Sequence, residues 1–203
     1  MEVVIAFYSR TGNTQAMADL LEEEARQRGH TVRLVQIAHD RKPGYFGCLS
    51  LATGKRDADI ANPEAELDLG TADLVILGAP VWGGRFAPFV RTFLERAKGR
   101  EGKPAGVFVS CSSTLDKAER FAPELGEYAA SMGLAVKGTM CASRKDRLMH
   151  REIGRAFLDG LLGPAPAAAT APQPPAPPPP PRAEGEALGE AQVETPVEAP
   201  KSE

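Results

Sequence analysis

The chain has 203 residues, 42% hydrophobic and 25% charged, with a formal net charge of −3. That is enough for one sizeable core, or for one core and a tail, and it excludes collagen-like, coiled-coil and disulfide-scaffold classes. The opening apolar run, Val3 to Phe7, is five residues long and follows Glu2 without a basic leader, so it reads as neither signal peptide nor membrane span. Cys48, Cys111 and Cys141 lie 63 and 30 positions apart, which is no zinc spacing and leaves an odd thiol under any pairing. A reduced, cytoplasmic protein is the expectation.

Val3-Val4-Ile5-Ala6-Phe7 is the continuous apolar run of a strand buried on both faces. From Asn13 to Arg28 the period becomes helical. Ala16, Met17, Leu20, Leu21 and Ala25 make one stripe, Glu22, Glu23, Glu24 and Arg26 the opposite face, and Gly29 the stop. Val32 to Ile37 reads as a second strand and Leu74 to Gly78 as a third. Residues 39–70 carry Pro43, Gly44, Gly47, Gly54 and Pro63, so at most a short helix inside a long loop is expected there. Pro88 suits the start of a helix whose stripe is Phe89, Val90, Phe93, Leu94 and Ala97. Gly106 to Ser110 is strand four, Lys117 to Met132 a helix, Leu134 to Met140 strand five, and His150 to Leu162 a last helix. Five apolar strands alternating with helices define a parallel sheet covered on both faces.

Composition breaks at Gly163. The 41 residues from 163 to 203 include 12 Pro and 10 Ala, with the run Pro177 to Pro181 and no aromatic. Such a segment cannot bury enough apolar surface to offset its ordering entropy, so a folded domain over 1–162 and a disordered Pro/Ala-rich acidic tail over 163–203 are expected. The charge divides at the same point, +1 in the domain and −4 in the tail. Neither part suggests nucleic acid. The prolines at 177–181 suit an aromatic groove on a partner, or a bare tether.

Ligands of such sheets bind beyond the carboxyl ends of the strands, so three loops matter. Ser9-Arg10-Thr11-Gly12-Asn13-Thr14 joins strand one to helix one. Its hydroxyls, amide and helix N-terminal N–H groups suit a phosphate dianion without a dedicated cation, or else form an ordinary hydroxyl cap. Pro80-Val81-Trp82-Gly83-Gly84 follows strand three and holds the only tryptophan. A flat ring at a glycine-rich strand end suits stacking on a flat cofactor, or packing under its own loop. Cys111-Ser112-Ser113 follows strand four, with Cys111 a reactive thiol or a small buried one.

Phe7-Tyr8-Ser9-Arg10-Thr11-Gly12-Asn13-Thr14 resembles the phosphate-loop signature of the flavodoxin-like FMN-binding family. The resemblance extends in element order over about 1–162. It implies a doubly wound five-stranded sheet of order 2-1-3-4-5 with FMN as cofactor. Ser9, Thr11, Asn13 and Thr14 would hold the phosphate, with Gly12 allowing close approach. Arg10 would lend its backbone amide, its side chain pointing outward. Pro80 to Gly84 would flank the flavin, with Trp82 beside the ring and Gly83 as the peptide that turns over toward flavin N5. Cys111, Ser112 and Ser113 would border the ring. The third loop departs from the family, with no second aromatic before Phe121. The near-neutral domain also departs from strongly acidic carrier flavodoxins. Arg85, Arg91, Arg96, Lys98, Arg100 and Lys103 recur around the third helix, as a docking face, a nicotinamide-phosphate site or a solvated surface.

Other readings make demands this chain does not meet. Cys141 and Arg147 have the Cys-x5-Arg spacing of a phosphotyrosine-type phosphatase, but no Gly lies between them. A receiver domain needs acidic residues after strand one, where Tyr8-Ser9 stands. Three functions remain: electron carriage between redox partner proteins, which the absence of a recognisable nicotinamide motif favours; an NAD(P)H-dependent FMN or quinone reductase; and a flavin-free scaffold recruiting a partner through its tail. The compositional break yields the first prediction. Truncation after Leu162 leaves the thermal midpoint and FMN affinity nearly unchanged, checked by calorimetry and flavin titration; a truncated chain that cannot fold contradicts it.

Overall fold

In a computed structural model, the chain is described over residues 1–39, 47, 50, 58–112 and 120–165. Of the long loop expected over 39–70, residues 40–57 lie outside those residues except Gly47 and Ser50, which are helical, and so do Cys48, Ser113 and the tail beyond 165. Five long strands form one parallel sheet: β1 (Glu2–Phe7), β2 (Thr31–Gln36), β3 (Leu74–Trp82), β5 (Pro104–Cys111) and β6 (Ala135–Ser143). Their order is β2-β1-β3-β5-β6, which is the expected 2-1-3-4-5 once the short strand β4 (Arg85–Phe86) is set aside. β4 was not expected; it pairs back on β3 as an antiparallel hairpin. The chain folds as a flavodoxin-like α/β domain.

Strand alternation sorts the core. Val3, Ile5 and Phe7 face α1 (Asn13–Gln27) and α4 (His150–Leu162), while Val4, Ala6 and Tyr8 face α2 (Phe89–Arg96) and α3 (Phe121–Ser131). All six are buried, which explains why β1 reads as an unbroken apolar run. The segment between β2 and β3 is described from residue 58 and holds one 3-10 turn, Glu64–Glu66. Asn62 is buried and ties that segment to the sheet edge, accepting from Ala38 N–H (2.8 Å) and donating to the Gln36 carbonyl (2.9 Å).

One sequence expectation is corrected here and one is narrowed. Glu24, assigned to the polar face of α1, is only 4% exposed. Its carboxylate accepts from Arg151 (2.7 Å) and Arg155 (3.0 Å) of α4, which satisfies it at the helix–helix contact. Gly154 makes that contact close, since a Cβ there would stand 2.7 Å from Leu20 Cδ2. The second concerns the basic residues. Lys98 pairs with Glu64 (2.8 Å), Lys103 donates to the carbonyls of Gly70 and Ala72, and Arg100 donates to those of Met132 and Ala97. Arg91 lies over the rings of Phe86 and Tyr128. Burial and a hydrogen bond to Glu95 push the Tyr128 hydroxyl up to about 12. Arg85, Arg91, Arg96 and Lys98 are exposed, as the solvated-surface alternative has it, while Arg100 and Lys103 are partly buried and tie the loop after α2 to its neighbours.

At Leu162 the last helix stops, and Gly163 takes φ 84. Arg28 pairs with Asp159 (2.8 Å) and donates to the Gly163 carbonyl (3.1 Å), so a cut after Leu162 removes one bond of Arg28. Gly78 yields a further prediction. A Cβ there would lie 2.2 Å from the fully buried Phe108 ring on β5, so the ring or the strand has to shift in a close-packed core. Gly78→Ala lowers stability by about 1–3 kcal/mol, seen as a lower urea midpoint at unchanged slope.

Candidate functional site

β1, β3 and β5 end along one edge of the sheet, and their following loops meet there. Tyr8 N–H still donates to the Gly78 carbonyl (3.0 Å), so the first loop leaves the sheet at Ser9. Ser9 Oγ accepts from the N–H groups of Gly12 (3.2 Å) and Gln15 (3.3 Å), curling the loop onto the start of α1. Gly12 is the N-cap of α1 at φ 85, a left-handed conformation that L side chains rarely adopt. It brings no capping side chain, and the first turn of α1 holds no acidic residue.

The hydroxyls of this loop divide by burial. Thr11 is exposed and its Oγ1 accepts from Asn13 Nδ2 (3.3 Å). Thr14 is 1% exposed, and its hydroxyl shares a 2.7 Å hydrogen bond with Ser110 at the end of β5. Arg10 is partly buried, so its side chain is not simply turned to solvent as expected. Asn13 Oδ1 accepts from Arg147 (2.9 Å), which lies beyond β6. The amide expected to face a phosphate is thus engaged by Thr11 and Arg147, and Asn13 keeps its backbone N–H at the helix start.

The second loop is a hairpin. Val81 pairs with Phe86 and Trp82 with Arg85, leaving Gly83 and Gly84 as its two turn residues. Both take positive φ, 55 and 84, which a primed two-residue turn requires at its central positions. Pro80 and Val81 are partly buried. Trp82 is partly buried and perpendicular to two rings, Tyr8 (centroids 5.5 Å) and Phe89 (6.1 Å). Tyr8 stacks on Phe89 at 4.3 Å, and its hydroxyl lies 3.2 Å from His39 Nε2. Trp82 therefore stands on an aromatic base as well as at a strand end.

In the third loop Cys111 is buried in the core and Ser112 is exposed. Burial in the core matches the bland alternative for Cys111. Phe121, at the start of α3, comes within 3.8 Å of where a Cβ on Gly84 would stand. An aromatic thus reaches the hairpin from beyond the third loop. Cys141 lies buried in β6, and Arg147 goes to Asn13, so the Cys-x5-Arg spacing builds no phosphate cradle. Among the described residues no group of three His, Cys, Asp or Glu is arranged to hold a metal, and no helix is long and apolar enough to cross a membrane.

Sequence reasoning met Arg147 only in the Cys-x5-Arg spacing and Phe121 only as the next aromatic, and it missed the Tyr8–His39 pair. His39 lies at the parity that continues Val35 and Ile37 past the end of β2.

Taken with these loops, the sequence comparison defines the class. The family model described as NADPH-dependent FMN reductase matches residues 3–143, from β1 to the end of β6, and the chain belongs to that family. A Caulobacter vibrioides protein named NAD(P)H dehydrogenase (quinone) is 31% identical over 123 residues, 55% of this chain and 57% of its own length. This chain therefore spans little more than half of that relative. A protein of the same name from Cupriavidus metallidurans is 25% identical over 171 residues, 81% of this chain and 79% of its own. A Lactobacillus acidophilus flavoprotein in complex with FMN has a TM-score of 0.54 at 21% identity, covering 74% of this chain and 98% of that one. Oxidised flavodoxin 1 from Bacillus cereus has a TM-score of 0.52 at 22% identity, covering 78% and 98%. At these identities the two structures share the fold.

FMN is the cofactor of the family, and the first loop fits its phosphate. Hydroxyls, a glycine N-cap and a helix start without carboxylates form a donor set for a dianion.

The Thr14–Ser110 bond yields a prediction of its own. Thr14→Val or Ser110→Ala alone leaves one buried hydroxyl unpaired and costs about 1–3 kcal/mol, whereas the double variant costs less than the two losses added. Thermal and urea denaturation of the four proteins measures the coupling; strict additivity contradicts it.

Proposed function

We propose that the protein is an NAD(P)H-dependent, FMN-containing reductase that passes electrons from a nicotinamide to a quinone or similar small acceptor. Its family match carries this reading, since residues 3–143 include all three loops of the site. The names of the Caulobacter and Cupriavidus relatives agree with it. Sequence alone tilts toward an electron carrier, because no nicotinamide motif is recognisable. The family match moves the balance to the reductase.

When bound, FMN supplies the two-electron chemistry, and the protein's part is binding, orientation and access. Ser9, Arg10, Thr11, Gly12, Asn13 and Thr14 hold the phosphate, mainly through backbone N–H groups and the exposed hydroxyl of Thr11. Ser9 Oγ shapes the loop by accepting from the N–H groups of Gly12 and Gln15. Thr14 contributes its N–H and anchors the loop through Ser110. Trp82 flanks the ring from the hairpin, braced by Tyr8 and Phe89. Pro80, Val81, Gly83 and Gly84 carry the peptides beside it, and Cys111 and Ser112 border its other end. A single large aromatic on the hairpin leaves the ring more open than a pair of facing aromatics would. That openness suits exchange with planar small molecules.

Electron carriage between protein partners is the second reading, favoured by the likeness in fold to flavodoxin 1. Anaerobic stopped-flow mixing of oxidised, FMN-loaded protein with NADPH or NADH separates the two. Rapid loss of flavin absorbance without any partner reductase is the expected result. Inertness toward both nucleotides restores the carrier.

A further inference from the structure

We propose that Arg147 is the fixed cation of the FMN phosphate site and makes the protein prefer phosphorylated over unphosphorylated flavin. The inference rests on reading residues 9–14 as the phosphate loop. That loop has no lysine, and its one arginine, Arg10, is assigned a backbone role. Arg147 comes from the opposite end of the chain and donates to Asn13 Oδ1 at 2.9 Å, 134 residues away in sequence. Asn13 is the first residue of α1, and its amide in turn donates to Thr11 Oγ1 (3.3 Å). The guanidinium is thus two hydrogen bonds from an exposed hydroxyl of the loop.

Its position is built rather than incidental. After β6 the chain turns through a 3-10 segment, Arg144–Met149, kinked at Asp146 (φ −107, ψ 36). Ser143 is fully buried and clamps both ends of this turn. Its Oγ accepts from Lys145 N–H (3.1 Å) and its carbonyl from His150 Nε2 (2.7 Å). Arg144, Arg147 and His150 line one side of a cavity of about 260 Å³ whose other side includes Asn13 and Ser110. Asp146 is the only carboxylate in the turn, and it does not line that cavity.

A guanidinium carries five donors, of which Arg147 spends one on Asn13. The remaining donors and the full positive charge stay available to a phosphate at the loop. Riboflavin, lacking the phosphate, gains nothing from the group.

The test titrates apo-protein with FMN and with riboflavin, reading quenching of flavin fluorescence at low and high salt. Wild type, Arg147→Gln and Arg147→Lys are compared. Gln keeps an amide donor without charge; Lys keeps the charge without the planar fork. Arg147→Gln is expected to weaken FMN about tenfold, leave riboflavin within about twofold and flatten the salt dependence of FMN binding. Arg147→Lys is expected to retain most of the preference. An unchanged FMN affinity in Arg147→Gln, equal weakening of both flavins, or an equal fall in Arg147→Lys overturns the proposal. A wild type that binds both flavins alike overturns the phosphate-loop reading itself, a result separable from the others because it needs no variant.

Discussion

The site depends on one buried contact, the 2.7 Å hydrogen bond between the hydroxyls of Thr14 and Ser110. Both groups are cut off from water, so each needs the other, and neither the first turn of α1 nor the end of β5 can shift alone. The bond crosses 96 residues of sequence and fixes the start of α1 against the end of β5. The hairpin between them is then placed by the parallel register of β3 with β1 and β5. A rigid sheet brings the loops to one edge, and a satisfied hydroxyl pair holds them in relation to each other.

Much of this was legible from local pattern. β1 was visible because both its faces are buried, and α1 because its stripe and Gly29 mark its face and its end. The first loop and the Trp82-Gly83-Gly84 stretch stood out because glycines and hydroxyls occur there at strand ends, where ligands bind. What stayed hidden involves partners distant in sequence. Glu24 reads as a solvent residue from its neighbours, and only the arrival of Arg151 and Arg155 explains its burial. Arg100 and Lys103 look like part of the charged surface around α2 until the carbonyls they meet are known. β4 is two residues long, too short for any periodicity, although Gly83-Gly84 was a usable turn signal.

The aromatic base of Trp82 explains how one large ring can be held at an open strand end. Tyr8 and Phe89 stack with each other, and both stand perpendicular to the indole. Such edge-to-face contacts add roughly 0.5–1.5 kcal/mol each beyond area burial. Trp82 is therefore oriented by residues from β1 and α2, not by the glycine turn beside it. The turn stays free to present its peptides, because orienting the ring is the task of the base.

The packing of α1 on α4 has a consequence for the order in which the protein is made. The three strand-end loops of the site all begin before position 114, yet α1 is held by groups that follow β6. Arg151 and Arg155 reach Glu24 across 127 and 131 residues, and Arg147 reaches Asn13 across 134. Synthesis runs from the N-terminus, so the loop and its helix leave the ribosome long before the groups that secure them. A nascent chain stopped at residue 143 has the loops but not the clasp on α1. The packed form of α1 at this sheet edge is thus a property of the completed domain.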